Sequence, residues 1–332
     1  MKAAFTKGLF PAIVLCLSAL ALAACAAPAR PPEWTAPLGR DHPLAGRIWS
    51  VGEARFVEAE DLVERLSSSR YVLLGEKHDN PDHHRLQAWV VEALIAAGRR
   101  PAVAFEMIDE GQAPALDAYL AGRPVDAAGL GPAIGWEQTG WPDWALYRPI
   151  ADAAVAAGLP IRAANLSRDG IRAVARDGWK ALAPERVSRL ALSTEPNEET
   201  RLAMSAEMKE SHCGMLPDES VPAMIRVQRV RDGLMAEAMA RPGADGAVLI
   251  AGNGHVRRDR GAPWYLRLLD PAPATSLAFL EVAAGRLEPA DYGRAFDGTL
   301  PFDYVWFTPR LDDADPCAAF HEQLQRLGRP AN

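Results

Sequence analysis

The chain has 332 residues, of which 49% are hydrophobic and 24% are charged. This composition excludes an intrinsically disordered protein and is sufficient for one large domain with a substantial core. The formal net charge is -7 at pH 7, and such an acidic balance argues against a nucleic-acid-binding protein.

The first residues have the pattern of an export signal. Lys2 and Lys7 flank the start of an apolar run from Leu9 to Ala24, which is too short for a comfortable transmembrane helix of about 20 apolar residues. Residues 1–24 are therefore predicted to be a signal peptide. Cys25 follows the small residues directly, as in a bacterial lipobox, and is predicted to carry a lipid. The alternative is an ordinary signal peptide with a chance cysteine.

The segment after Cys25 is predicted to be an extended tether. Residues 26–40 contain four prolines, which stiffen and extend a chain, so 25–40 is assigned to the lipidated tether and 41–328 to the folded domain. Ala26, in place of an aspartate, favours the outer membrane, with the domain facing the periplasm. A lipid on a tether would hold the domain near the membrane without a spanning helix.

Two further cysteines, Cys213 and Cys317, lie in the predicted domain. In an exported protein a pair of thiols favours a disulfide. The alternative is a free Cys213 acting as a soft ligand beside His212.

Short apolar runs alternate with helical stretches along the domain. Helices are predicted over 82–98, with Asn80 as the N-cap, and over 143–157. Strands are predicted at 71–75, 101–107, 159–165 and 247–252, and within 276–282 and 303–309. This alternation predicts an α/β fold with a largely parallel central sheet flanked by helices. The long helical stretch at about 167–240 is predicted to be an inserted helical subdomain.

Polar side chains follow the predicted strands. Glu76 and His78 come after the first strand, Glu106 ends the second, Asn165 ends the third, and the GNGH stretch 252–255 follows the fourth. Because ligands bind outside the carboxyl ends of parallel strands, these groups are expected to meet at one edge. Each alone is more often a solvated loop residue, but their coincidence favours a shared site.

One interpretation of this edge is a metal site. Glu76, His78, Glu106 and His255 form a mixed nitrogen and oxygen set that suits Zn, Mn or Fe. A metal with open positions could activate water, so the sequence is compatible with a metal-dependent hydrolase that uses Glu76, His78 and His255 on a peptide or ester.

Two adjacent histidines, His83 and His84, stand at the start of the predicted helix. His83 and His84 are not expected both to face inward, because neighbouring residues on a helix do not share a face. His84 is the preferred additional metal ligand, with packing or solvent exposure as the alternative.

Several stretches, taken in order, carry a family resemblance. They are LLGEKHDNPDHHRLQ, AFEM, AANLSR, SHCGMLP, VQRVRD and LIAGNGHVRRDRGAPWYL. Together they resemble the ChaN family of haem-binding lipoproteins, in the wider Tiki/TraB and erythromycin-esterase-like superfamily, from about Asp41 to about Phe320. Both GxxH motifs of the superfamily, at 75–78 and 252–255, are intact. The resemblance implies an α/β sheet with a helical subdomain, haem binding in iron uptake, and kinship to metal-dependent hydrolases.

Haem needs an apolar slot, an axial ligand and cations for its propionates. Arg257 is a candidate propionate partner, with a solvated basic loop as the alternative, and His212 is a candidate axial ligand or mouth residue. The complete set of candidate haem-binding residues is His78, Glu106, His212, Asn253, His255 and Arg257.

The leading hypothesis is a lipid-anchored haem-binding protein of the bacterial envelope that acts in haem and iron uptake. Its expected partners are haem, the membrane through the lipid, and either a second copy of the chain or a haem-uptake receptor, with no nucleic acid. The alternatives are the metal-dependent hydrolase and a structural envelope protein.

Overall fold

The structure, a computed structural model, describes residues 30–296, 298–315, 317–318, 321–322 and 325. The predicted signal peptide and Cys25, the predicted site of lipidation, lie outside these residues. In the described part of the chain, no helix is long and apolar enough to cross a membrane.

A single eight-stranded sheet forms the centre of the fold. Its strands are β1 (Ile48–Ser50), β2 (Arg55–Val57), β3 (Tyr71–Glu76), β4 (Ala102–Asp109), β5 (Ile161–Asn165), β6 (Ala247–Gly252), β7 (Ala274–Glu281) and β8 (Tyr304–Thr308). The spatial order is β2-β1-β8-β7-β3-β6-β4-β5. Strands β3 to β8 are parallel, and the antiparallel pair β1 and β2 extends one side of the sheet. The predicted α/β fold with a largely parallel sheet is confirmed.

Helices cover both faces of the sheet. They are α1 (Ala59–Ser68), α2 (Pro81–Ala96), α3 (Ala113–Ala121), α4 (Ala127–Ala133), α5 (Trp144–Ala156), α6 (Arg168–Asp177), α7 (Pro184–Arg189), α8 (Glu198–Ser211), α9 (Val221–Ala240), α10 (Ala262–Leu269) and α11 (Pro289–Tyr292). One apolar core joins α1, α2 and α5 to the sheet, and a second joins α6, α9 and α10 to the opposite face. Side chains of β3 alternate between them, with Leu74 in the first core and Leu73 in the second.

The predicted helices 82–98 and 143–157 correspond to α2 and α5. Asn80 caps α2, since its Oδ1 accepts a hydrogen bond of 2.9 Å from the Asp82 N–H. The predicted helical block corresponds to α6 through α9. The hairpin of β1 and β2 was not predicted, because each strand has three residues and is too short to show an alternating pattern.

The N-terminal boundary of the domain was predicted too late in the chain. One carboxylate, that of Asp82 in the first turn of α2, accepts hydrogen bonds from the Thr35 N–H at 2.8 Å, the Thr35 hydroxyl at 2.6 Å and the Ala36 N–H at 2.9 Å. Ala36 is buried, and Leu38 pairs with Arg310 beyond the end of β8. The predicted tether, which was extended to residue 40, is therefore wrong from Thr35 onward, because specific backbone contacts outweigh the extended tendency of its prolines.

The predicted disulfide is present between Cys213 and Cys317, whose Cα atoms lie 5.5 Å apart. Cys213 follows α8, so the bond ties the helical block to the C-terminal segment. The alternative of a free Cys213 acting as a soft ligand is wrong, because its sulfur is covalently occupied.

Removal of this bond should destabilise the protein. The disulfide closes a loop with a sequence separation of 104 residues, so Cys213→Ser should lower the free energy of unfolding by about 4 kcal/mol in the chain-entropy description. Urea unfolding measures the loss. A reductant should lower the free energy of unfolding of the wild type to that of the variant and leave the value of the variant unchanged. Equal stability of the two proteins under oxidising conditions would contradict the bond.

Candidate functional site

The carboxyl ends of the parallel strands form one edge of the sheet, which we call the carboxyl edge. Glu76 ends β3 there and is 2% exposed. Its Oε1 lies 2.8 Å from His78 Nδ1 and accepts a hydrogen bond of 3.2 Å from the Tyr147 hydroxyl, and its Oε2 lies 2.8 Å from His84 Nδ1. Burial acts to raise the pKa of Glu76, but the two histidines outweigh it and lower this pKa to about 2. The carboxylate therefore stays ionised and orients both imidazole rings.

Glu106 is the centre of a second cluster. Its Oε2 accepts a hydrogen bond of 2.7 Å from the Gly252 N–H, while its Oε1 accepts from Arg231 and lies 3.3 Å from His255 Nε2. On the opposite side of the ring, His255 Nδ1 lies 2.7 Å from Asp232 Oδ1. His255 thus bridges two buried carboxylates. Burial would lower its pKa, but Glu106 and Asp232 raise it to about 9.

The two clusters meet above Gly252. A Cβ atom at this position would lie 3.0 Å from His78 Nε2 and 3.7 Å from Glu106 Oε2. At Gly75 a Cβ atom would lie only 2.3 Å from Asn253 Oδ1. The first glycine of each GxxH motif therefore allows the loops after β3 and β6 to approach each other closely.

The structure brings together the five residues predicted as a metal set, but as two separate groups of close ion-pair and hydrogen-bond contacts. The Glu76 carboxylate contacts His78 and His84. The Glu106 carboxylate contacts the Gly252 amide, Arg231 and His255. In the described residues, no group of three or more His, Cys, Asp or Glu side chains could hold a metal ion. The predicted Zn, Mn or Fe site is therefore not supported.

The two adjacent histidines of α2 are both fully buried, so the expectation that only one would face inward is wrong. His83 Nδ1 accepts a hydrogen bond of 2.9 Å from the Lys77 N–H, and its Nε2 lies 2.8 Å from Thr308 Oγ1. Burial lowers the pKa of His83 to about 3. His84 instead packs on Tyr147, with ring centroids 4.3 Å apart. Both rings are buried because the first turn of α2 is covered by the sheet on one side and by α5 on the other.

The remaining candidate haem ligands lie in different surroundings. The Asn253 amide donates to the Phe279 carbonyl at 2.9 Å, whereas its buried Oδ1 has no hydrogen-bond partner. His212 ends α8, with Nδ1 2.8 Å from the Met208 carbonyl oxygen. Arg257 is 2% exposed, and Asp259 accepts two hydrogen bonds from its guanidinium, at 3.0 and 2.8 Å. A propionate would therefore have to compete with this carboxylate for Arg257, and the haem-binding roles of the three residues stay predictions.

A cleft of about 450 Å³ opens beside Glu106 at the carboxyl edge. This volume is typical of small-molecule and cofactor sites. Its lining combines apolar, amide, cationic and acidic side chains: Met107, Ile134, Trp141, Leu166 and Ile171, then Gln112, Gln138 and Asn165, then Arg168 and Arg231, and finally Glu106 and Asp109. His78 adjoins the cleft through Trp141, with ring centroids 4.8 Å apart, and its side chain is 33% exposed. The sequence analysis did not identify Arg168 and Arg231, the cations of the cleft.

Residues 62–266 match the protein family described as haem-binding uptake, Tiki superfamily, ChaN. The chain belongs to this family. A solved structure described as cofacial haem binding to ChaN of Campylobacter jejuni is similar, with a TM-score of 0.62 and 20% identity over 78% of this chain and 95% of that chain. This likeness shows that the two chains share a fold.

More distant comparisons add little to the family assignment. An erythromycin esterase, EreC, is 13% identical over 86% of this chain and 100% of that chain, with a TM-score of 0.40. A score this low supports no inference about this ChaN family member. No curated protein matches the chain.

The raised pKa of His255 predicts a loss of stability in alkaline solution. The pKa of His255 is about 9 in the folded state and 6.5 when unperturbed, so protonation of this side chain stabilises the folded protein. Its contribution to the free energy of unfolding is complete below pH 6.5 and is lost as the pH rises through 9. The loss should reach about 3 kcal/mol at most, by the conversion of a pKa difference into free energy. Burial raises the pKa of Asp232 only to about 6, below this window.

Urea unfolding across this pH range tests the prediction. His255→Gln should reduce the dependence without removing it, because Glu76 also raises the pKa values of His78 and His84 against the opposing effect of burial. His321→Gln, which changes a histidine near the C-terminus, should leave the dependence as in the wild type. A wild-type stability that is flat between pH 6.5 and 9 would contradict the charged state of His255.

Proposed function

We propose that the chain binds haem in the cleft beside Glu106 and acts in haem and iron uptake at the bacterial envelope. The observation that carries this proposal is the coincidence, at one edge of the sheet, of an apolar and aromatic cleft, two arginines and a carboxylate-oriented histidine. These are the three elements that haem requires of a protein.

The lining of the cleft fits the macrocycle and its acidic groups. Met107, Ile134 and Trp141 provide apolar and aromatic surface, which matches the porphyrin plane. Arg168 and Arg231 provide guanidinium groups, which pair well with carboxylates. Arg231 is partly engaged with Glu106, so Arg168 is the more accessible partner for a propionate.

His78 is the proposed axial ligand. Glu76 holds its Nδ1 at 2.8 Å, and in the described part of the chain its Nε2 makes no hydrogen bond. A carboxylate that fixes one imidazole nitrogen directs the other toward a metal. When bound, haem supplies the iron, and the chain's own residues orient the ligand nitrogen and shield the macrocycle from water.

The N-terminal segment supports a lipid-anchored arrangement. Thr35 and Ala36 are held by Asp82 at the start of α2, which lies at the carboxyl edge directly after the loop of His78. If Cys25 carries a lipid, the ten residues to Thr35 span at most about 35 Å. The cleft would then lie close to the membrane, with the domain in the periplasm.

Haem uptake also requires a protein to receive or supply the ligand. We propose a second copy of the chain or a haem-uptake receptor in this role. The metal-dependent hydrolase is not proposed, because the ligand set on which it depended is internally paired.

Haemin titration of the purified mature domain is the primary test. The wild type should give a saturable Soret shift, and His78→Ala should weaken binding by about tenfold or more, since even the loss of the group orienting a metal ligand costs 10–100-fold. His212→Ala, which changes the other candidate axial histidine, is the matched control and should bind as the wild type does. Absence of a saturable shift in the wild type would overturn haem binding, and loss in His212→Ala alone would move the site away from the cleft.

The lipid anchor has a separate test. In a bacterial host, Cys25→Ser should remove the lipid and shift the protein from the membrane fraction to the soluble periplasmic fraction, because one tethered lipid is the proposed attachment. Fractionation with mass spectrometry of the N-terminal peptide measures this. A wild-type N-terminus without lipid would contradict the anchor.

A further inference from the structure

A second pocket lies on the other side of α9 from the cleft beside Glu106. The two have no lining residue in common, although α9 contributes Arg229 to one and Arg231 to the other. It has a volume of about 220 Å³ and is bounded by the segment before α8, by α8 and α9, and by α10. Arg229 lines it together with Met204 and Trp264. Neither the haem cleft nor the two histidine clusters uses these side chains.

Arg229 is a buried cation, with 4% of its surface exposed. Its Nε donates to the Tyr265 hydroxyl at 3.2 Å, and its Nη2 donates to the Thr194 carbonyl at 2.8 Å. The guanidinium lies 5.3 Å from the centroid of the Trp179 ring. These contacts fix the orientation of the group, but all of them are to uncharged partners.

No carboxylate compensates this charge within the described residues. The other charged groups of the pocket are engaged elsewhere: Asp259 pairs with Arg257 and Arg260, and Arg260 also pairs with Glu207. Glu195 is exposed at the rim and forms no ion pair with Arg229. Buried charges are ordinarily paired, because an uncompensated ion costs several kcal/mol, yet Arg229 makes no ion pair with any of the described residues.

The open end of the guanidinium faces a space that a ligand can reach. Within the described residues, Nη1 of Arg229 makes no hydrogen bond, and it is not among the unsatisfied polar atoms that are sealed from solvent. A carboxylate is the natural partner of this planar donor. A phosphate, with a charge of about -1.5 to -2, would overcompensate one cation beside Glu195 and Asp259.

We propose that this pocket is a binding site for a small organic carboxylate, whose charge pairs with Arg229 Nη1 and whose apolar part lies against Met204 and Trp264. The volume is below the 300–1,000 Å³ of typical drug-sized sites, which limits the ligand to a small acid. Thr194 and Thr200 at the wall suit a ligand that also carries a hydroxyl group.

Benzoate serves as the probe, with its neutral amide, benzamide, as the matched ligand control and inorganic phosphate as a third arm. At constant ionic strength, benzoate should bind saturably in calorimetry and raise Tm with concentration. Benzamide and phosphate should not. Arg229→Gln should weaken benzoate binding by about tenfold or more, because a charge-assisted hydrogen bond contributes roughly 1.5–3 kcal/mol.

Two further variants keep the test decisive if Arg229→Gln folds poorly. Thr200→Tyr fills the pocket from α8 without changing Arg229 and should also abolish binding, whereas Arg172→Gln, at an exposed position on α6, should bind as the wild type does. Equal binding of benzamide, unchanged binding in Thr200→Tyr, or no saturable benzoate binding to the wild type would overturn the site.

The proposal is independent of haem binding. Benzoate should bind equally to the haem-free and haem-loaded protein. Displacement of benzoate by haemin would assign the pocket to the haem site and overturn it as a separate site, whereas failure of haem binding alone would leave it intact.

Discussion

The carboxyl edge depends on two carboxylates that are buried on either side of β6. Glu76 stands on β3 and Glu106 on β4, the two neighbours of β6 in the sheet, and each is at most 2% exposed. An unpaired ion in such a position would cost several kcal/mol. The fold therefore has to supply cations and donors at this edge, and it does so from the loops after β3 and β6, from α2 and from α9.

This requirement assigns different tasks to the histidines. His255 has both nitrogens within reach of carboxylates, at 3.3 Å from Glu106 and 2.7 Å from Asp232, so it is suited to hold the two clusters together. His84 is fully buried, and its Nδ1 lies 2.8 Å from Glu76 Oε2. His78 differs from both, because one nitrogen is fixed by Glu76 while the ring is partly exposed beside Trp141. Only such a residue combines a defined orientation with access for a ligand.

The sequence was sufficient to place the residues that follow strands. The carboxyl ends of parallel strands must share an edge, so the neighbourhood of Glu76, His78, Glu106 and His255 could be predicted from the positions of three strands, β3, β4 and β6. The disulfide could also be predicted, because the predicted domain contains two thiols and therefore has only one intramolecular pairing.

Other features depend on tertiary contacts that no local pattern records. Asp232 and Arg231 reach the site from α9, whose rotation about its axis is set by packing in the second core. The stretch of Glu106 is irregular, because the pairing of β4 with β5 shifts register between Phe105 and Asp109. The burial of both His83 and His84 could not be predicted without the position of α5, which covers one side of the first turn of α2. The docking of Thr35 depends on one carboxylate 47 residues away in sequence.

The most direct test of the central claim is a side-chain nitrogen NMR experiment on ¹⁵N-histidine-labelled protein, with gallium protoporphyrin as a diamagnetic substitute for haemin. Coordination should move the His78 Nε2 resonance into the range of a metal-bound imidazole nitrogen, while the Nδ1 resonances of His78 and His84 stay those of protonated nitrogens beside Glu76. A coordination shift at His212 or His255 with His78 unchanged would contradict the assignment of His78 as the ligand that Glu76 orients.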